Sequence, residues 1–418
     1  MTKGEAKAMG TPGLVALFLT TFLYMADLVF YPSYGAMVQA FPEASTAIMN
    51  FCMMGSQLTA MIASFLVMPA MTKFSKRDIL LFETLLFGVS ALCAPLVHDV
   101  LYVTVMRTIS GLGFGGVLGV SGALIQQVYA DDPARRDRYI GLYNSALGLA
   151  GAIGSLAGGL LATISWDAIY RFYWIVVPIF ILEFLFLPKT LPDGEEATQE
   201  GSQGEPADAS EDARGQSGWN GTLPSVLACA LSYLFVNIIY VGMASGELSL
   251  FVVELGLGGE AESGVLMMVA ALMAVPCGIA FPSIYHKFGR WTASLFYAVM
   301  AIGLLLYCFP SNIFVLGLAI ACVSFAYSMG LAYYMIYAGE VAPPAKASSA
   351  ISLVTIGMAL GAFASPFVVT AIQEMLGTTS LLPVYPVLLV ATLAGLLMCI
   401  VLARRATRNQ GEKVAGKA

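Results

Sequence analysis

Two residues of opposite charge stand where hydrocarbon is expected. Asp27 lies in the run LYMADLVFYPSYG, residues 23–35, and Arg107 opens RTISGLGFGG, residues 107–116; both runs sit inside long apolar segments. A charge placed deep in a membrane span costs at least about 2.5 kcal/mol on insertion scales, so it is a functional candidate by default. Glu183, in a third apolar run, is another. A carboxyl whose water or cationic neighbour can change can also gain or lose a proton, whereas arginine keeps its charge. Asp27, Arg107 and Glu183 are therefore the expected proton-coupling residues. The competing reading of Asp27 and Arg107 is a static buried pair that fixes helix packing. Glu83, near the start of the third apolar segment, reads as a snorkelling or capping residue.

The elements that carry these charges follow from composition. The chain has 418 residues, 58% of them hydrophobic and only 11% charged, against about 25% charged in soluble domains. Apolar stretches of the length needed to cross a bilayer recur throughout, which makes this an all-α multipass membrane protein. Charge and proline punctuation predicts twelve spans near residues 13–37, 46–71, 79–97, 101–128, 139–164, 168–188, 222–246, 263–285, 291–309, 313–338, 347–373 and 381–403. The first is expected to be retained, because it lacks a small-residue cleavage site. Asp27 then lies roughly 13 Å below the outer end of its helix and Arg107 roughly 9 Å below the same surface.

Basic residues orient the chain. Of its 20 lysines and arginines, 18 fall in segments on one side and the other two, Arg107 and Arg171, lie within spans. The positive-inside rule puts those segments, and both termini, in the cytoplasm; a bacterial cytoplasmic membrane is the expected setting. Residues 189–221 are acidic and poor in large apolar side chains, as a disordered cytoplasmic linker would be. They separate a first bundle, residues 1–188, from a second, residues 222–418. The seven cysteines lie inside apolar segments and only two histidines are present. No metal spacing, nucleotide loop or nucleophile–base set can be read, so no cofactor, no metal, no nucleic-acid partner and no enzyme activity are expected.

The halves repeat. KFSK at 73–76 recurs as KFGR at 287–290, Gly154-Ser155 aligns with Ser365-Pro366, and Asp27 aligns with Asn237, at shifts of 214, 211 and 210 residues. Two related six-helix bundles are one architecture of secondary transporters. With RTISGLGFGG, whose arginine is followed by Gly111 and Gly113, the chain resembles the major facilitator superfamily along nearly its whole length. The fifth span, ending Gly154-Ser155-Leu156-Ala157-Gly158-Gly159, resembles the motif of that family's drug/proton antiporters, with Ser155 in place of the usual proline. The loop MPAMTKFSKR, residues 68–77, keeps the basic positions Lys73, Lys76 and Arg77 but has Met68 and Thr72 where the family has glycine and aspartate.

The resemblance implies twelve helices in two pseudo-symmetric bundles, with spans one, four, seven and ten lining a central cavity and spans one and four adjacent. Tyr24, Asp27 and Tyr31 share one helix face, Tyr233 and Asn237 a second, and Tyr327 lies on a third. With Arg107 and Asn144 these are the expected substrate contacts. Lys73, Arg77, Gly111, Gly154, Gly158, Gly361 and Pro366 are expected to serve conformational change, the glycines by letting backbones approach. A tyrosine-walled cavity with one acid suits a small amphipathic or lipophilic molecule. The expected function is proton-coupled export by alternating access in a monomer. The alternative is proton-coupled uptake of a small nutrient or organic anion, in which Asp27 and Arg107 bind the substrate directly.

Overall fold

In hydrocarbon a backbone must satisfy its own hydrogen bonds, and a helix does so within one segment. The computed structural model describes residues 9–190, 192, 222–244, 246–343 and 347–415; among these no strand occurs. The predicted linker lies outside the described residues except for Lys189, Thr190 and Pro192.

The first span is broken into α1 (Thr11–Leu19), α2 (Thr21–Tyr24), α3 (Asp27–Phe30) and α4 (Tyr34–Ala40), and its two arms meet at 50°. There follow α5 (Thr46–Met71), α6 (Lys76–Cys93), α7 (Val100–Phe114), α8 (Val117–Val128), α9 (Pro133–Ala162), a 3-10 segment Ala168–Ile175 and α10 (Val176–Phe186). After the linker come α11 (Leu223–Ala244), α12 (Gly246–Glu254), α13 (Glu260–Leu272), α14 (Ala274–Phe288), α15 (Thr292–Cys308), α16 (Ile313–Val341), α17 (Ala347–Leu376) and α18 (Val384–Ala415).

Among the described residues, ten helical stretches are long and apolar enough to cross a membrane, and the bent first pair adds one more. One of the ten, Glu260–Cys308, has 49 residues. At 1.5 Å per residue it is more than twice a hydrocarbon core of about 30 Å, and Gly289 interrupts it with φ 51°. It supplies two crossings, and the expected twelve are present.

Residues group into two compact units, Met1–Gly218 with Gly259–Met268 and Trp219–Gly258 with Val269–Ala418. In the first, α7 packs on α5 through the glycines of the 107–116 motif. A methyl group on Gly111 would lie 2.1 Å from the Ser56 carbonyl oxygen, and one on Gly115 2.2 Å from that of Ala60. Gly113 faces the other way, onto Phe87 of α6. The motif therefore wedges one helix between two neighbours at backbone contact. The small-residue face of α9 seats on the first span, where Gly158 would meet the Val29 carbonyl oxygen at 2.0 Å. In the second unit Gly361 of α17 seats likewise on Leu234 of α11, at 2.3 Å.

Gly111→Ala should lower the thermal unfolding temperature in detergent by the equivalent of about 1–3 kcal/mol of overpacking. Gly119→Ala, where nothing lies within 4 Å of the added methyl, should be neutral or slightly stabilising. Equal effects at both positions would show that the close approach carries no energy.

Candidate functional site

The break in the first span puts Asp27 at the start of α3, where the two arms meet. Its carboxylate is buried, 5% exposed, and so is Arg107 on α7, 4% exposed. They form an ion pair at 2.9 Å, from Arg107 Nη2 to Asp27 Oδ1. The other carboxylate oxygen accepts from Ser56 Oγ at 2.9 Å and Gln57 Nε2 at 2.7 Å, both on α5. Arg107 Nε donates to the Cys52 carbonyl at 2.7 Å and Nη2 also to that of Met53 at 3.3 Å. The Phe30 ring lies 3.4 Å from the guanidinium carbon, a contact that a cation gains when dry.

α5 is thus the third wall, and Gly111 is what lets it come close enough. Gln57 also reaches the Tyr31 hydroxyl at 3.4 Å, tying acid and tyrosine together. Behind the pair is a cavity of about 10 Å³ lined by Asp27, Arg107, Ser90, Ser110, Tyr170 and Tyr173, room for about one water molecule. Tyr173 donates to the Ala26 carbonyl at the break, at 3.0 Å.

The remaining expected contacts fall into different surroundings. Tyr24 is half-buried at the end of α2, whereas Asn144 of α9 is exposed and its neighbour Tyr143 is buried against Thr20, hydroxyl to hydroxyl at 2.9 Å. In the second unit Asn237 spends its amide on the Tyr233 carbonyl one turn back, at 3.1 Å. No charge stands where Asp27 stands in the first half. Tyr233 is fully buried and stacks on Tyr327 with centroids 6.0 Å apart; Tyr327 stacks closely on Tyr240, at 3.8 Å and 5°. Pro366 is buried inside α17, beside Ser365, whose hydroxyl reaches the Ile238 carbonyl at 2.7 Å.

Of the loop residues, Lys73 is exposed, while Arg77 donates to the Phe184 carbonyl of α10 and lies over that residue's ring at 5.3 Å. Lys76 is buried and donates to Gln127 Oε1 of α8 at 2.8 Å. Glu183 is fully buried on α10 and accepts from Thr84 Oγ1 at 3.0 Å. Glu83 does not snorkel. It is 2% exposed, and Oε1 accepts from the Gly116 N–H at 2.8 Å, where the α7–α8 break leaves that donor without a helical partner.

Sequence reasoning paired Asp27 with Arg107 but missed Ser56, Phe30 and the two tyrosines of the 168–175 segment. Serine and phenylalanine are too common in spans to stand out. Gln57, a polar residue in the middle of a span, was the available signal.

A carboxylate and a guanidinium are thus buried together within a multipass helical membrane protein. The family description "Major Facilitator Superfamily" matches residues 14–366. The chain belongs to that superfamily. Among curated proteins it is 29% identical over 185 residues to an MFS-type efflux pump, MMF1, of Pseudozyma antarctica, covering 42% of this chain and 32% of that one. It is 29% identical over 94 residues to an MFS-type transporter of Aspergillus terreus, covering 22% of this chain and 17% of that one. The chain thus matches less than a third of either relative's length. Solved structures share the fold along most of the chain. A mutant of the nucleoside transporter NupG has a TM-score of 0.76 at 10% identity, covering 93% of this chain and 99% of its own. A D-xylose-proton symporter has a TM-score of 0.66 at 16% identity, covering 93% and 95%.

Removing one partner of a buried pair strands the other charge, at about 3–5 kcal/mol. Asp27→Asn and Arg107→Gln should each lower the unfolding temperature of the purified protein, and the double variant should lose clearly less than the sum of the two. Additive losses would mean that the charges do not interact.

Proposed function

We propose that this transporter is a proton-coupled exporter of a small amphipathic or lipophilic molecule, working by alternating access as a monomer. The observation that carries the reading is the Asp27–Arg107 pair at the bend of the first span, hydrogen-bonded to α5 and bordered by Tyr31. A substrate group that displaces Ser56 or Gln57 from Asp27, or an α5 movement that does the same, changes whether the acid holds its charge. Binding and protonation would then be coupled at one carboxylate.

Aromatic surface in both halves supports an amphipathic substrate. The Tyr233–Tyr327–Tyr240 stack presents ring faces and few charges, a chemistry that holds flat apolar molecules and weakly hydrated cations. The efflux pump among the relatives supports the outward direction. Both curated relatives come from fungi, and the positive-inside rule places the termini in the cytosol in a fungal plasma membrane as in a bacterial one.

Purified protein in proteoliposomes with an internal pH-sensitive dye and an imposed pH gradient tests this. Lipophilic cations should discharge the gradient with wild-type protein and fail to do so with Asp27→Asn. A nutrient that accumulates with protons, while no lipophilic compound moves them, would replace export by uptake.

A further inference from the structure

The first unit buries two more carboxyls away from the Asp27–Arg107 pair. Glu83 on α6 is 2% exposed and Glu183 on α10 is 0% exposed. They are bridged through the chain itself, because Thr84, next to Glu83, donates its hydroxyl to Glu183 Oε1 at 3.0 Å. Each uses one oxygen, Glu83 on the Gly116 N–H and Glu183 on Thr84, and each leaves Oε2 buried with no partner among the described residues.

The cations nearby bond other groups, although Arg77 Nε is buried without a partner among the described residues. Arg107 on α7 is paired with Asp27. Arg77, on the first turn of α6, is held by the Phe184 carbonyl, and Lys76, two turns before Glu83, is held by Gln127 of α8. The phenol of Tyr143 on α9 is a further titratable group beside Glu183, whereas Tyr170 and Tyr173 line the cavity behind Asp27 and Arg107. α5 contributes no charged residue.

Two buried carboxyls, neither of them ion-paired and each with an unpartnered oxygen, cannot both stay ionised cheaply. We propose that Glu83 and Glu183 form a proton-binding site, separate from Asp27 and Arg107, in which the unpartnered carboxyl oxygens take up the proton. Loading forms one O–H bond on a carboxylate oxygen with a proton taken from water; release breaks it and returns the proton to water, with no change of oxidation state.

The site has a built-in link to movement. Gly116 is the residue at the α7–α8 break, and a methyl group there would lie 2.2 Å from Glu83 Oε1. Arg77, from the basic loop motif, grips the residue next to Glu183. A shift of the break or of α10 changes a carboxyl's hydrogen-bond partners or admits water, and either change alters proton retention. As the source of the coupled proton the pair rests on the transport reading above, but proton binding is measurable with no substrate at all.

Infrared difference spectra of the full-length protein in lipid nanodiscs, taken across a pH titration, read the C=O stretch of protonated carboxyls directly. Wild type should show a titrating acid band that Glu83→Gln and Glu183→Gln each shift or remove and that Asp27→Asn retains. Glu83→Gln keeps an oxygen to accept from Gly116 and should preserve the fold even if Glu183→Gln does not, with the unfolding temperature as the check. An acid band unchanged in folded Glu83→Gln, or lost only in Asp27→Asn, overturns the proposal. If the band behaves as expected while no compound moves protons in proteoliposomes, the export reading falls and the proton site stands.

Discussion

A buried charge is the constraint from which the first unit is organised. Asp27 and Arg107 are both withdrawn from water, and their attraction offsets that loss only with good geometry and with the remaining donors and acceptors satisfied. The structure meets these conditions through neighbours that are themselves demanding. Ser56 and Gln57 must face inward from α5, the Cys52 carbonyl must turn toward the guanidinium, and Phe30 must cover it. Gly111 lets α5 and α7 touch at the backbone, and the bend before Asp27 aims the acid into that seam.

Interrupted helices recur where polar groups are needed at depth. The first span breaks before Asp27 and the fourth at Gly115 and Gly116. Each break frees backbone groups that hydrocarbon would leave unpaired, and each is closed by a side chain from another helix. Tyr173 takes the Ala26 carbonyl, Ser64 takes the Gly115 carbonyl at 2.6 Å, and Glu83 takes the Gly116 N–H. Breaks answered by distant side chains have alternative partners, so they are suited to rearrangement, unlike an unbroken ladder of helical bonds. The second unit has no buried ion pair at the corresponding place. Asn237 bonds its own helix, and the polar chemistry there is carried by tyrosine rings and hydroxyls.

Residue types and one-dimensional order determine much of this. The twelve crossings follow from apolar length, because only a helix of about 20 residues can span hydrocarbon with its backbone satisfied. The family was legible in RTISGLGFGG and in the repeat, and Asp27 and Arg107 were legible as partners because charges at similar depth in adjacent spans have strong reason to meet. What could not be read were the residues that satisfy the pair. Ser56 and Phe30 are ordinary span residues, and only their positions in space make them donor and lid. Glu83 read as a snorkelling or capping residue because its distance from the start of the span fits one. Its neighbours, not its place in the chain, decide that it is dry.

The sequence by itself determined the class: a multipass helical membrane protein with costly charges in fixed spans, since hydropathy and charge are properties of single residues and short runs. Only the tertiary structure decided how those charges are treated. It gave Asp27 a cation and two neutral donors, and it left Glu83 and Glu183 buried with an unsatisfied oxygen apiece. The physical reason is that the state of a buried carboxyl depends on what lies within hydrogen-bonding distance. In a helical membrane protein those neighbours come from helices far apart in sequence, placed by packing that no local pattern records.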